Sequence, residues 1–176
     1  EELSCVACHR PASNDAMAEG LAKRLGPDLS RVGERVYARW LFRWLENPQA
    51  FRPQAVMPQM FADDETGTLE RYSVTCYLAS LGVPLQPPKK ELDPNDLKSS
   101  RKRGERLFGR VGCTVCHTAP EGKKPFAELA RMETKTTPEK LAQYLENPLA
   151  IDPSGRMPHL SLDGGDAAPV CALEKG

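Results

Sequence analysis

The chain has 176 residues, 24 Lys plus Arg against 24 Asp plus Glu, and a formal net charge of zero. That balance excludes a general nucleic-acid binder, which carries a basic excess, and no stretch is long and apolar enough to span a bilayer. Apolar residues make up 40% of the chain and aromatics 6%, so two small domains would each have a thin core.

No charged-then-apolar leader opens the chain, as expected if any signal peptide has been removed. Cys5-Val6-Ala7-Cys8-His9 comes first. Val36, Trp40, Leu41, Trp44 and Leu45 then recur at helical spacing, and Asn47-Pro48 ends that helix. Residues 68–81 predict another helix, with Leu69, Tyr72 and Cys76 on one face and Gly82 as C-cap. Residues 83–92 begin Val83-Pro84-Leu85-Gln86-Pro87-Pro88 and read as a semi-rigid linker between a domain at 1–82 and a domain at 93–176. Asp93-Pro94 predicts an N-cap with Pro at the first helical position, and the helix should run to about Phe108. Thr137-Pro138 opens a helix that ends at Glu146. A last short helix starts near Asp166, with Pro169 tolerated in its first turn. No run alternates as a strand, so the expected class is all-α.

The two parts repeat each other. Trp44-Leu45-Glu46-Asn47-Pro48 returns 100 residues later as Tyr144-Leu145-Glu146-Asn147-Pro148. In the same register Pro53, Met57 and Pro58 match Pro153, Met157 and Pro158. Upstream, Cys5-Val6-Ala7-Cys8-His9 pairs with Cys113-Thr114-Val115-Cys116-His117. From His9 to Met57 is 48 residues and from His117 to Met157 is 40, so the loops differ in length.

Cys-x-x-Cys-His is the attachment signature of c-type haem. Thiols three residues apart on a helical turn share one side, where they can add to the two haem vinyl groups. The next residue projects its imidazole onto the iron. A four-cysteine zinc site built from both pairs explains neither the His after each pair nor the repeated Met. A redox Cys-x-x-Cys pair fails on the same ground.

On these motifs the chain resembles the class I cytochromes c, in particular the tandem two-haem members, over nearly its whole length. The resemblance implies two all-α domains, each wrapped around one covalently bound haem. It implies that Cys5, Cys8, His9, Cys113, Cys116 and His117 hold the two haems, with His9 and His117 on the irons. Gly26-Pro27-Asp28-Leu29 is similar to the family's Gly-Pro-x-Leu segment, in which the Pro carbonyl accepts a hydrogen bond from the iron-bound His. That assigns the role to Pro27, and to Pro125 within Lys124-Pro125-Phe126 in the second half. Met57-Pro58 and Met157-Pro158 match the distal-ligand loop, so Met57 and Met157 become the sixth ligands. Gly104 and Phe108 sit where the family's first helix crosses its last. The first half has no counterpart of that opening helix, so the expectation is a piece of something longer or a helix supplied by a partner.

Several residues leave alternatives open. Met60 competes with Met57, although its counterpart Leu160 favours Met57 on symmetry. Met17 and Met132 read as core filler. His159 is a rival to Met157 as ligand, and reads better as a surface or propionate-contacting histidine. Cys76 and Cys171 are either reduced thiols packed in helices, a bridge between the halves, or thiolate iron ligands. Lys98, Arg101, Lys102, Arg103, Arg106 and Arg110 form either a solvated face or a docking patch for an acidic redox partner.

Iron held by His and Met has no open position and changes oxidation state with little rearrangement. The expected function is electron relay by a two-haem cytochrome between redox protein partners, alone or within a larger membrane or enzyme complex. The alternative is a two-haem peroxidase or oxidase of small sulfur or nitrogen compounds with one open haem. The family implies a periplasmic or otherwise extracytoplasmic location.

Overall fold

Asn followed by Pro ends one helix and starts the next, and the chain does this twice. In a computed structural model, which describes residues 5, 8–9, 26–85, 94–118, 123, 129, 131–153, 155–160 and 162 (94–96 by backbone alone), every regular element is helical. None of the described residues is in a strand. No helix among them is long and apolar enough to cross a membrane. The chain divides into two compact units, Glu1–Leu85 with Asp152–Arg156, and Gln86–Ile151 with Met157–Gly176.

The first unit contains a 3-10 turn at Val32–Glu34, then α1 (Ala38–Glu46), α2 (Pro48–Phe51) and α3 (Glu65–Ser80). Leu41 and Leu45 of α1 are buried with Val32, Val36, Phe61 and Leu78, and α1 packs on α3. Val36 joins this core from the turn before α1, not from within the helix. Asn47 stops α1 by leaving helical geometry, and its side chain then caps α2 by accepting from the Ala50 N–H at 3.0 Å. Pro48 costs nothing at the first position of α2, where no intrahelical acceptor awaits its missing N–H.

The third helix begins earlier than its apolar spacing suggests. Asp64 is its N-cap and accepts from the Gly67 N–H at 2.7 Å. It ends at Ser80, with Leu81 as C-cap and Gly82 beyond it at φ +86°, the left-handed conformation that favours glycine. The face of Leu69, Tyr72 and Cys76 is not the core face. Leu69 is 62% and Tyr72 61% exposed, and Cys76 is exposed. The buried stripe is Gly67, Arg71, Thr75 and Leu78. Arg71 explains the choice: its guanidinium lies 4.3 Å from the centre of the Phe42 ring and 3.0 Å from a Glu46 carboxylate oxygen. A planar cation can stack and pair at once, so a charged residue can join the interface with α1.

The second unit contains α4 (Pro94–Arg110), α5 (Thr114–His117), α6 (Met132–Lys135), α7 (Pro138–Glu146) and α8 (Pro148–Ile151). Helix α4 extends two residues past the expected Phe108. Gly104 is buried on it. The Thr137 hydroxyl accepts from the Lys140 N–H at 3.2 Å and starts α7 as its sequence predicts. Asn147 repeats the role of Asn47 at the head of α8, accepting from the Ala150 N–H at 3.2 Å. Leu145 and Leu162 are buried, with Leu107, Phe108, Val111, Leu141, Met157 and Leu160 packed against them. Met132, expected as filler, is half-buried in α6. The cap at Asp93, the helix near Asp166 with Pro169, the linker from residue 86 onward, Met17, Pro125 and Cys171 lie outside the described residues.

The exposed face of α3 yields a direct test. Leu45→Ala should lower the unfolding free energy by about 2–5 kcal/mol, while Leu69→Ala should change it by no more than about 0.5 kcal/mol. Denaturant titration of the purified protein measures both.

Candidate functional site

Both Cys-x-x-Cys-His motifs close a helical turn. In the first, the Cys8 and His9 N–H groups donate to the Cys5 carbonyl at 3.2 and 2.9 Å. In the second, Cys116 and His117 donate to the Cys113 carbonyl at 3.3 and 3.0 Å. Such a turn brings residues three apart onto one side of the helix. The thiols of Cys5, Cys8, Cys113 and Cys116 are not in disulfides. Cys5, Cys8 and Cys116 are exposed, whereas Cys113 is buried, and burial pushes its thiol pKa up.

The His9 ring is oriented by the segment expected to hold it. His9 Nδ1 lies 2.8 Å from the Pro27 carbonyl oxygen. A carbonyl can only accept, so Nδ1 carries the proton and the lone pair is on Nε2. Gly26 makes the approach possible. Its N–H donates to the Cys8 carbonyl at 3.0 Å. A Cβ there would sit 2.6 Å from His9 Nδ1 and 2.7 Å from the Cys8 oxygen. His117 has the Phe108 ring beside it, 6.3 Å between centroids.

The two methionine loops are built alike. Each follows a four-residue helix opened by Asn-Pro, α2 or α8. Each turns through a backbone bond three residues long, Ala55 N–H to the Arg52 carbonyl at 2.8 Å and Gly155 N–H to the Asp152 carbonyl at 2.9 Å. Met57 is half-buried against the first core and Met157 against the second. Met60 and Leu160 also pack on their respective cores. An equivalent leucine there marks packing as the shared role of that position, and Leu has no donor atom for a metal. His159 is exposed, which fits the surface reading. The expectation of a packed Cys76 thiol is corrected: Cys76 is on the exposed face of α3.

Two contacts of Met57 are not apparent from the motif pattern. The Trp44 indole N–H donates to Met57 Sδ at 3.2 Å. Trp44 is itself stacked on Trp40, 5.2 Å between centroids at 17°. Gln49 Nε2 donates to the Met57 carbonyl at 2.6 Å and to the Ala55 carbonyl at 3.2 Å. The repeat carried a clue to the first: Trp44 and Tyr144 share a register position and both are aromatic with a polar tip. Nothing in the repeat pointed to Gln49, whose counterpart is Leu149.

The donor set suits a haem iron. An imidazole with its proton fixed on Nδ1 and a thioether on a structured loop are a nitrogen and a sulfur ligand, and the exposed Cys5 and Cys8 thiols beside that imidazole are of the type that attaches the macrocycle. Among the described residues no group of three or more His, Cys, Asp or Glu gathers as a metal-ion cluster.

A family described as cytochrome c oxidase, mono-heme subunit/FixO, matches residues 21–103, a little under half of the chain. The matched stretch contains Gly26-Pro27, α1 to α3 and Met57, and falls between the two Cys-x-x-Cys-His motifs. It supports a place for the chain among c-type cytochromes. No curated protein and no solved structure matches.

Gly26→Ala should force the His9 ring or the Cys8 carbonyl aside and cost about 1–3 kcal/mol. Gly109→Ala, on α4 with no atom within 4 Å of its Cβ, should instead stabilise by about 0.5–1 kcal/mol. Thermal unfolding of the two variants separates a steric glycine from an incidental one.

Proposed function

We propose that this chain is a two-haem c-type cytochrome that relays electrons, with His9 and Met57 on one iron and His117 and Met157 on the other. The observation that carries this reading is the bond from His9 Nδ1 to the Pro27 carbonyl, 2.8 Å long. It orients an imidazole beside two exposed thiols, the arrangement a covalently attached, His-ligated haem uses. The second site rests on the repeat: the same cysteine turn, the same Asn-Pro helix and the same methionine loop.

Bound haem supplies reversible one-electron chemistry at iron. The residues of the chain do the rest. Pro27 fixes the tautomer and plane of His9, which raises its basicity as a ligand. Trp44 directs its N–H at the sulfur of Met57, withdrawing electron density from it and limiting its rotation. Held by a His and a Met, the iron would have no position left for oxygen or peroxide and would supply electron transfer without bond making. The half-buried loops exclude water and lower the reorganisation that accompanies a change of charge.

Covalent attachment of this kind is carried out beyond the cytoplasmic membrane, so the protein is assigned an extracytoplasmic, in bacteria periplasmic, location. The partner is another redox protein, and the oxidase subunit family matched at residues 21–103 favours a place in a larger complex. Helix α4 offers a surface for such a partner. Lys98, Lys102, Arg106 and Arg110 recur every fourth residue along it and are all exposed, forming one cationic ridge. Arg101 and Arg103 are exposed too, with contacts of their own.

Adding carbon monoxide to the reduced, haem-loaded protein should leave the absorption spectrum unchanged on mixing at both haems. Prompt binding at one would sink the closed-site reading and point to a haem enzyme. Reduction by an acidic redox protein, with flavodoxin as probe, should slow as salt rises. Changing Lys98, Lys102, Arg106 and Arg110 together to Gln should remove most of that dependence. A salt-independent rate would leave the ridge as a merely solvated face.

A further inference from the structure

The two methionine loops share their backbone turns and differ in what holds them. In the first, the Gln49 amide spans the loop. Its two N–H groups serve two carbonyls, those of Ala55 and Met57, at 3.2 and 2.6 Å. The second of these carbonyls belongs to the methionine itself, so the clamp acts one bond away from the Cα that carries the thioether. At the corresponding place on α8 stands Leu149, which is 47% exposed. Leucine has no donor, so it cannot make either bond whatever its rotamer.

The loop residue inside the clamp also differs. Ala55 corresponds to Gly155, and glycine gives a backbone more conformations to escape into. Asp152 pairs with Arg35 at 2.7 Å within the first unit. The difference is Gln49 against Leu149, with Ala55 against Gly155 acting in the same direction.

We propose that Gln49 is a positioning residue that locks the Met57 loop, and that the Met157 loop is the one that releases its sulfur to an incoming neutral nitrogen base. This rests on the two-haem reading above. Both sites are closed at rest, and they differ in how often they open. Release breaks only the bond from the Met157 sulfur, and the incoming ligand takes the vacated position with no change in oxidation state. The chain thus holds one strictly electron-transferring site and one that can be captured by a ligand.

The test is a reciprocal exchange, Gln49→Leu and Leu149→Gln, in the haem-loaded protein. Imidazole is added to the ferric form, and each haem is followed by its own methionine methyl resonance, assigned with Met57→Ala and Met157→Ala. In the parent protein Met157 should be displaced faster than Met57. Gln49→Leu should accelerate displacement of Met57 by about two- to tenfold, the range expected for losing exposed hydrogen bonds. Leu149→Gln should slow displacement of Met157. Amide hydrogen exchange, which reads the clamp without reference to iron, should show residues 155–157 exchanging faster than 55–57, and Gln49→Leu should abolish that difference. Equal displacement rates, faster loss of Met57, or no response to either exchange overturns the proposal. If no methionine methyl resonance appears in the haem-loaded protein, the ligand assignment fails instead, and the hydrogen-exchange result still decides whether Gln49 holds its loop.

Discussion

The bond from the His9 ring to the Pro27 carbonyl is the constraint around which the first unit is organised. It joins residues 18 apart in sequence. It also sets which nitrogen of the ring carries the proton, and so which one has the lone pair. Gly26 is required because the two backbones meet there with no room for a side chain. From Pro27 the chain passes through the 3-10 turn, whose Val32 enters the core, and on to α1. The orientation of one imidazole is thereby tied to the packing of the helix that carries Trp44, and through Trp44 to the sulfur of Met57.

Each half of the sequence repeat builds its methionine loop by the same economical means. An Asn leaves helical geometry and caps the next short helix with its own side chain, and the Pro after it starts that helix. Pro48 and Pro148 are both buried, so the kink is packed as well as capped. The loop then leaves at a fixed angle and turns back on one backbone bond. Little apolar area is needed for this, which matters in a chain with few aromatics. The described cores are small, and hydrogen-bonded turns carry much of the local order.

The same design tolerates divergence at positions the backbone does not use. Trp44 and Tyr144, Gln49 and Leu149, Ala55 and Gly155 all sit on matched frames, yet their side chains give the two methionines different surroundings. Arg71 shows the complementary case. A charged side chain takes part in the contact between α1 and α3 because Phe42 and Glu46 both meet it, and the apolar residues of α3 are left outside.

What the amino-acid sequence determined alone was whatever depends on local covalent order. The cysteine turns, the Asn-Pro breaks, the Thr137 cap, the helical class and the 100-residue register of the repeat are all set within a few residues of one another, where spacing and backbone preference suffice. The candidate ligands were legible for the same reason, since each belongs to a short motif that occurs twice. What only the tertiary structure decided were choices between faces and between partners distant in sequence. Residues 68–81 carry apolar side chains on more than one side, and periodicity could not say that the stripe with Arg71 turns inward, because the deciding groups, Phe42 and Glu46, lie on another helix. The hydrogen bonds from His9 to Pro27, from Trp44 to Met57 and from Gln49 to Met57 are likewise products of folding. A hydrogen bond needs its two atoms about 3 Å apart, and over such separations in sequence only the packed chain brings them there.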